Sequence, residues 1–333
     1  MKRVLSLLLM VAISAISLLG QEYTIKFATV APEGSTWMNV MREYDAQVRK
    51  ESGGRVGFRF YAGGTQGDEK AVLRKIRIGQ LHSAGFTGVG MGEIAPQVRI
   101  LDCPFLVRDY AEMDLLYEKF DSDFQKSFEN GGYILLGWTE VGFVHVFTNT
   151  LIKSPEDLKS VKMWSWEGDP VAENSFAELG ITPIPLPIEN VHSSLQTGLI
   201  DAFYTSPYAA VALQWYTKVK YMIDAPLADA AGAVLISKKY YDGMPKDLQE
   251  VLVRNGRLFM AKLTKLSRQD NQKAIDEFKK RGMQILKVDP KDLQKYVEVG
   301  MLVRRKLNGK LFTEEFLRRV EQELDNFRKS VKK

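Results

Sequence analysis

Cysteine and histidine are scarce in this sequence. The only cysteine, Cys103, excludes an internal disulfide, and its place in the apolar run 100–106 predicts a buried, inert thiol. The three histidines, His82, His145 and His192, form no i,i+4 pair and stand in no catalytic-triad motif. We therefore predict neither an enzyme nor a metal site, and no cofactor; an exported enzyme is the alternative that a broad hydrolase screen would test.

Motifs for binding phosphate or nucleic acid are also missing. The glycine-rich stretch 85–92 lacks the Gly-Lys-Ser/Thr ending of a P-loop and the spacing of a dinucleotide-binding loop. Its glycines instead predict a close approach of chain segments or a mobile loop. The net charge of +5 comes from scattered lysines and arginines rather than from one basic run, so we expect no nucleic-acid partner.

Long apolar runs are absent after the first twenty residues. Lys2 and Arg3 precede an apolar run at 4–19 that ends at Gly20, which is typical of a secretory signal peptide cleaved near that glycine. The alternative is an uncleaved anchor, although the run is shorter than the roughly 20 residues of a membrane span. We expect an exported protein in the periplasm.

The remaining chain shows the pattern of an α/β protein. A strand at 23–29, a helix with Trp37, Met41 and Tyr44 on one face, and a strand at 56–62 predict a β-α-β unit and hence a parallel sheet. Helices are predicted at 110–117 and 120–130. A long amphipathic segment from Lys246 to about Arg281 would extend about 50 Å as a helix, long enough to bridge two domains.

The stretch 157–170 is the most informative part of the chain. A short extended run at 161–166 ends in the turn Glu-Gly-Asp-Pro, and such strand ends present ligand-facing side chains in α/β proteins. Trp164 and Trp166 are two residues apart and point to the same face of the strand. They either fill a core or line a pocket.

Two segments of the chain resemble a known family. The segment Asp-Leu-Lys-Ser-Val-Lys-Met-Trp at 157–164 is similar to the Asp-Leu-Lys-Gly-Leu-Lys-Ile-Arg segment of the DctP-like solute-binding proteins of tripartite ATP-independent periplasmic (TRAP) transporters. Leu-Gln-Thr-Gly-Leu-Ile-Asp at 195–201 resembles a second segment of that family. In the family the closing Arg of the first segment forms a salt bridge with the ligand's carboxylate. Trp164 occupies that position here.

The resemblance implies an α/β fold of two lobes that close as a clamp, with a long helix spanning both lobes. It places lobe I at 21–140 plus 228–268, and lobe II at 141–227 plus 269–333 with the C-terminal helices. Residues 1–20 are the predicted signal peptide. In such proteins the ligand closes the lobes, and a membrane transporter recognises the closed form. The resemblance therefore implies a binding protein and not an enzyme.

The indole at position 164 changes the expected ligand. An Arg fork binds a carboxylate through two hydrogen bonds and an indole cannot, so we predict a more apolar or aromatic ligand. An indole cage for a cationic ligand is a further interpretation, and a cation elsewhere, such as Lys162 or Arg99, would instead restore carboxylate binding. The predicted ligand-binding residues are Trp37, Asp68, Trp138, Trp164, Trp166, Asp169, Phe203, Tyr204, Thr205 and Trp215.

The resemblance also implies partners. They are a small-molecule ligand and the small and large TRAP membrane subunits. A divergent subset of the family works beside a periplasmic tetratricopeptide lipoprotein, and the missing Arg is compatible with that subset. The alternative function is a periplasmic ligand-sensing or scaffold protein that docks on such a lipoprotein without transport.

Overall fold

Two sheets and the segments that connect them organise the fold. The computed structural model describes residues 21–331. The strands are β1 Tyr23–Ala28, β2 Val56–Tyr61, β3 Ser83–Thr87, β4 Tyr133–Phe143, β5 His145–Thr148, β6 Trp164–Trp166, β7 Ile184–Leu186, β8 Ala202–Thr205, β9 Tyr221–Asp224, β10 Asp229–Ser237 and β11 Gln284–Lys287. The α-helices are α1 Thr36–Glu51, α2 Glu69–Arg77, α3 Gly88–Ile94, α4 Tyr110–Asn130, α5 Pro170–Leu179, α6 Val191–Thr197, α7 Pro207–Ala212, α8 Lys238–Asp242, α9 Lys246–Lys280, α10 Pro290–Leu307 and α11 Glu314–Val331.

Each lobe has its own sheet. The first has the strand order β2-β1-β3-β10-β4, the second has the order β11-β9-β5-β8, and β6 pairs with β7 beside the second. The predicted β-α-β unit is present as β1-α1-β2, with parallel pairing from Tyr23–Val56 to Ala28–Tyr61. The first sheet is mixed rather than wholly parallel, because β10 runs antiparallel to both β3 and β4. The two-lobed α/β clamp is confirmed.

The helix α9 spans both lobes, as predicted. Leu252 and Leu263 pack in the core of the first sheet, whereas Ala274 and Phe278 pack in the core of the second lobe. The helix extends about 50 Å because its 35 residues include no proline and only one glycine. That glycine, Gly256, is where the helix approaches the backbone of Leu136 in β4.

One helix replaces the two predicted in the region of α4. The sequence favoured a break between 117 and 120, but Tyr110–Asn130 is continuous. Glu118 and Lys119 at the expected break are good helix formers, and neither glycine nor proline interrupts them. The phenylalanines Phe120, Phe124 and Phe128 repeat every fourth residue and bury the same face.

The C-terminal helices do not both lie in the second lobe. Tyr296 at the beginning of α10 belongs to a second-lobe core, whereas Val303 near its end belongs to a first-lobe core. Phe316 of α11 then packs edge-on against Phe120 and Phe124 of α4. This differs from the predicted allocation of 269–333 to lobe II, because the apolar face of α11 is buried against α4.

The glycine-rich stretch 85–92 forms the end of β3 and the short helix α3. A side chain at Gly85 would clash with the ring of Trp37, and one at Gly88 would clash with the carboxylate of Asp102. Of the two alternatives open from the sequence, the structure therefore favours close approach. These contacts bring α1 and the 3₁₀ helix Pro96–Asp102 against β3, the central strand of the first sheet, and the start of α3.

Candidate functional site: an aromatic cavity between the lobes

A cavity of about 260 Å³ lies between the two lobes. Its first-lobe wall comes from the ends of β1 and β3, the 3₁₀ helix Pro96–Asp102 and the crossing strands β4 and β10. Its second-lobe wall comes from β6, α5, β8 and α7, and Tyr296 and Val299 of α10 complete it. Most of the lining side chains are apolar or aromatic, which suits a small organic molecule.

Three aromatic rings meet at Trp164 in the second-lobe wall. The indole of Trp164 stacks on Tyr204 with 5.1 Å between ring centroids, and it meets Trp215 edge-on at 5.4 Å. Its Nε1–H donates to the carbonyl oxygen of Leu186 at 3.0 Å. Because this donor is already used, Trp164 offers a ligand apolar ring surface and no hydrogen bond.

Trp166 completes this aromatic wall with an unused donor. Its backbone N–H donates to the hydroxyl of Tyr204 at 3.2 Å, which fixes the strand against that ring. Its indole Nε1 is buried and has no hydrogen-bond partner among the described residues. Trp166 can therefore donate to an acceptor atom that enters the cavity.

Arg99 is the only cationic side chain among the described residues that line the cavity. It is 4 % exposed, and its Nη2 donates to Asp169 Oδ1 at 2.6 Å. Its Nε also lies 3.4 Å from Asp102 Oδ2. Asp169 additionally accepts from the backbone N–H of Val171 at 3.0 Å and so caps α5. Two carboxylates from opposite lobes thus neutralise this guanidinium.

The cavity also contains more acid than base. Four carboxyl groups line it, those of Glu69, Asp102, Asp169 and Asp229. Burial raises the pKa of Asp102 to about 7, although the charge of Arg99 opposes the rise. Burial also raises the pKa of Asp229 well above its usual range, and the charge of Glu140 adds to the rise. An anionic ligand would meet no free cation on this wall.

Seven of the ten predicted site residues line the cavity: Trp37, Trp164, Trp166, Asp169, Tyr204, Thr205 and Trp215. The other three lie elsewhere. Trp138 donates to Asp121 at 3.0 Å and packs against Phe124, on the face of β4 opposite the cavity residue Thr139. Phe203 stacks on Phe147 on the opposite face of β8 from Tyr204.

Asp68 has a structural role, and the neighbouring carboxylate lines the cavity. Asp68 caps α2 by accepting from Ala71 at 2.7 Å, whereas Glu69 lies at the cavity wall. Lys162, one of the two cations considered as a replacement for the missing Arg, is exposed and donates to Gly198 at 3.0 Å. Arg99 is at the cavity but is already paired, so neither cation is free for a carboxylate.

Sequence reasoning missed the acidic end of the cavity. Asp102 and Asp229 are not among the predicted site residues. One signal was available: an isolated Asp directly before a fully apolar run at 230–236 is unusual, because such a side chain is buried with the strand. Within residues 21–331, no cluster of three or more potential metal ligands occurs.

Asp229→Asn is expected to raise the free energy of unfolding at pH 8 and to change it little near pH 4. An unfolded aspartate ionises near pH 4, while burial keeps folded Asp229 protonated to higher pH. The folded state therefore retains a proton that the unfolded state has lost, and stability falls as pH rises through this window. Asparagine has no such proton to lose.

Urea unfolding of both proteins from pH 4 to pH 8 measures this effect. Asp224→Asn is the matched control, because Asp224 is exposed at the end of β9 and lies outside the cavity. An Asp229→Asn protein that is less stable than the parent at pH 8 would contradict the prediction.

Comparison with known proteins identifies the family of this chain. The family model for DctP, bacterial extracellular solute-binding protein family 7, matches residues 27–308. The chain belongs to this family. The predicted resemblance to TRAP solute-binding proteins is therefore confirmed. Because the family consists of solute-binding proteins, the chain is a binding protein and not an enzyme.

Individual relatives are distant in sequence and close in fold. The 2,3-diketo-L-gulonate-binding periplasmic protein of Escherichia coli is 25% identical over 247 residues, which cover 74% of this chain and 75% of that protein. The sugar acid binding protein of Advenella mimigardefordensis, solved with galactonate, superposes with a TM-score of 0.86 at 19% identity and covers 92% and 99% of the two chains. A TRAP periplasmic solute binding protein from Desulfovibrio salexigens, solved with orotic acid, gives 0.83 at 19% identity and 91% and 99% coverage.

The helices of the described part of the chain differ from membrane-spanning helices. None within residues 21–331 combines sufficient length with sufficient hydropathy to cross a bilayer. The predicted signal peptide at 1–20 lies outside the described residues.

Proposed function

We propose that this chain captures a small organic solute that is more apolar or aromatic than a dicarboxylate and delivers it to a TRAP-type secondary transporter. The observation that carries the proposal is the state of Arg99, which is paired with Asp169 and Asp102 and is the only cation among the described lining residues. A carboxylate buried there would compete with Asp169 and Asp102 for this one guanidinium, and burial of a poorly compensated charge is unfavourable.

The aromatic wall supports the same proposal. Trp164, Trp166 and Trp215 line the second-lobe side of the cavity with rings set at different angles, which makes this side apolar and aromatic. Burying apolar ligand surface against it contributes about 25 cal/mol per Å². The sugar acids and orotic acid of the solved relatives are therefore poor guides to this chain's solute, despite the shared fold.

The partners in this proposal are the small and large membrane subunits of a TRAP system. The absence of the Arg is compatible with a periplasmic tetratricopeptide lipoprotein as a further docking partner. The proposed location is the periplasm, after cleavage near Gly20.

Calorimetric titration of short dicarboxylates and of neutral aromatic compounds tests the proposed ligand class. We expect no dicarboxylate binding with a Kd of about 1 mM or tighter, and measurable binding of neutral aromatic compounds. Dicarboxylate binding at that strength, abolished by Arg99→Met, would overturn the proposal. Native mass spectrometry of the purified protein would identify a carried-over solute directly.

A further inference from the structure

One end of the cavity carries buried oxygen atoms without hydrogen-bond partners. Both carboxylate oxygens of Asp229, Oδ2 of Asp102 and Oγ1 of Thr139 are buried and accept no hydrogen bond from the described residues, and of these only Asp102 Oδ2 lies near a cation, 3.4 Å from Arg99 Nε. All three residues line the cavity, and Asp229 and Thr139 are fully buried. Buried polar atoms are almost always paired, so a group of unpaired oxygens at a cavity wall requires an explanation.

The fold places these oxygens together. Thr139 in β4 is the register partner of Gly232 in β10, three residues after Asp229. The other oxygen of Asp102 accepts from the backbone N–H of Ala231 at 3.2 Å, which fixes its side chain against the same strand. The 3₁₀ helix Pro96–Asp102 and two neighbouring strands thus converge on one acceptor-rich corner.

The cations nearest to this corner are already engaged. Arg268 of α9 donates to Glu140 at 2.7 Å and to Asp114 at 2.9 Å. Arg99 holds Asp169. The other titratable groups that act on Asp229 are Asp102, Glu140 and Asp114 together with the phenol groups of Tyr110 and Tyr117, and none of them is cationic. Among the described residues, Asp229 has no positive partner.

We propose that this corner binds a cationic N–H group of the solute, an ammonium, amidinium or guanidinium, with Asp229 as its principal anchor and Asp102 and Thr139 as further acceptors. The inference rests on the proposed function and narrows its ligand class to an aromatic or apolar body with a cationic head. In this arrangement the cationic head lies at Asp229 and the apolar body lies against the indoles of the opposite wall.

Protonation of Asp229 and Asp102 should make binding at this corner depend on pH. Burial raises the pKa of both Asp229 and Asp102, so near neutral pH the corner retains protons. A cationic head favours the ionised carboxylate and displaces a proton as it binds. Affinity should therefore rise from pH 6 to pH 8, and binding should release a proton.

Three probes that share a phenylethyl body test the charge of the head group. They are 2-phenylethylammonium, 2-phenylethanol and 3-phenylpropionate, titrated by calorimetry into the full mature chain at pH 6 and pH 8, in two buffers of different ionisation enthalpy. We expect the ammonium probe to bind about tenfold or more tightly than the alcohol, and the carboxylate to bind most weakly. Asp229→Asn should remove the ammonium advantage over the alcohol, whereas Asp224→Asn should change the affinity for neither probe.

The outcomes test the cationic corner separately from the apolar site of the proposed function. Binding of the alcohol without an advantage for the ammonium probe overturns the cationic corner and leaves the apolar site intact. Tightest binding of the carboxylate overturns both. An ammonium probe that fails to bind at about 10 mM, or whose affinity survives Asp229→Asn, also overturns the inference.

Discussion

Arg99→Met is expected to lower the free energy of unfolding by about 3–5 kcal/mol and to shift the molecule toward a more open form. Arg99 belongs to the first lobe, and Asp169 lies in the turn after β6 in the second, so their 2.6 Å pair joins the lobes. Removing one member of a buried pair leaves the other charge uncompensated, which is strongly destabilising. Urea unfolding and X-ray scattering would measure the stability and the radius of gyration.

Two further variants isolate this effect. Arg42→Met removes a 2.6 Å ion pair with Glu33 that is about half exposed, so its loss should change stability little. Arg99→Met combined with Asp169→Leu removes both charges of the pair between the lobes and should recover part of the stability. Recovery is incomplete because Asp102 loses its cation and α5 loses its cap. An Arg99→Met protein as compact and stable as Arg42→Met would show that the pair does not hold the lobes together.

Trp164→Ala is expected to weaken binding of a neutral aromatic probe at least about tenfold and to lower the free energy of unfolding by about 3–5 kcal/mol. The indole is 2 % exposed and contacts the rings of Tyr204 and Trp215. Truncation leaves a void at the cavity wall and removes a ring on which the neighbouring rings of that wall pack. Calorimetry with 2-phenylethanol and urea unfolding would measure the two effects.

Trp138→Ala is the matched control for this substitution. Trp138 also packs against aromatic rings, those of Tyr117, Phe124 and Phe128, but it does not line the cavity. It should therefore reduce stability and leave the affinity for the probe unchanged. Trp164→Phe keeps a ring against Tyr204 and provides a folded protein in which affinity can be measured. Equal loss of affinity in the Trp138 and Trp164 alanine variants would contradict a direct role for Trp164.

Local patterns were sufficient to predict most of the framework. The alternation in β1 and β2, the amphipathic repeat of α9 and the paired indoles of β6 each depend on residues close in sequence. The break expected within α4 was wrong because Glu118 and Lys119, which lie at that point, are good helix formers. The crossing of α10 between lobes depends on long-range packing, which a local pattern does not contain.

The site was predictable on one wall and not on the other. Trp164 and Trp166 could be found because their spacing and the following turn carry a signal. Trp138 was misassigned since strand periodicity shows that alternate residues share a face but not which face meets the cavity. Asp102, Thr139 and Asp229 converge only after β4 and β10 pair, so no motif marks them.

The path of α10 bears on the mechanics of opening. Four segments run from one lobe to the other: the β4–β5 and β9–β10 links, α9, and α10 with Tyr296 and Val303 in different cores. If only the two short strand links joined the lobes, the lobes could rotate relative to each other about more than one axis. With two helices straddling the gap, sideways shear requires slippage in tightly packed interiors, whereas rotation about a single axis requires only small bends at their ends. We therefore expect the two lobes to open and close by rotation about a single axis.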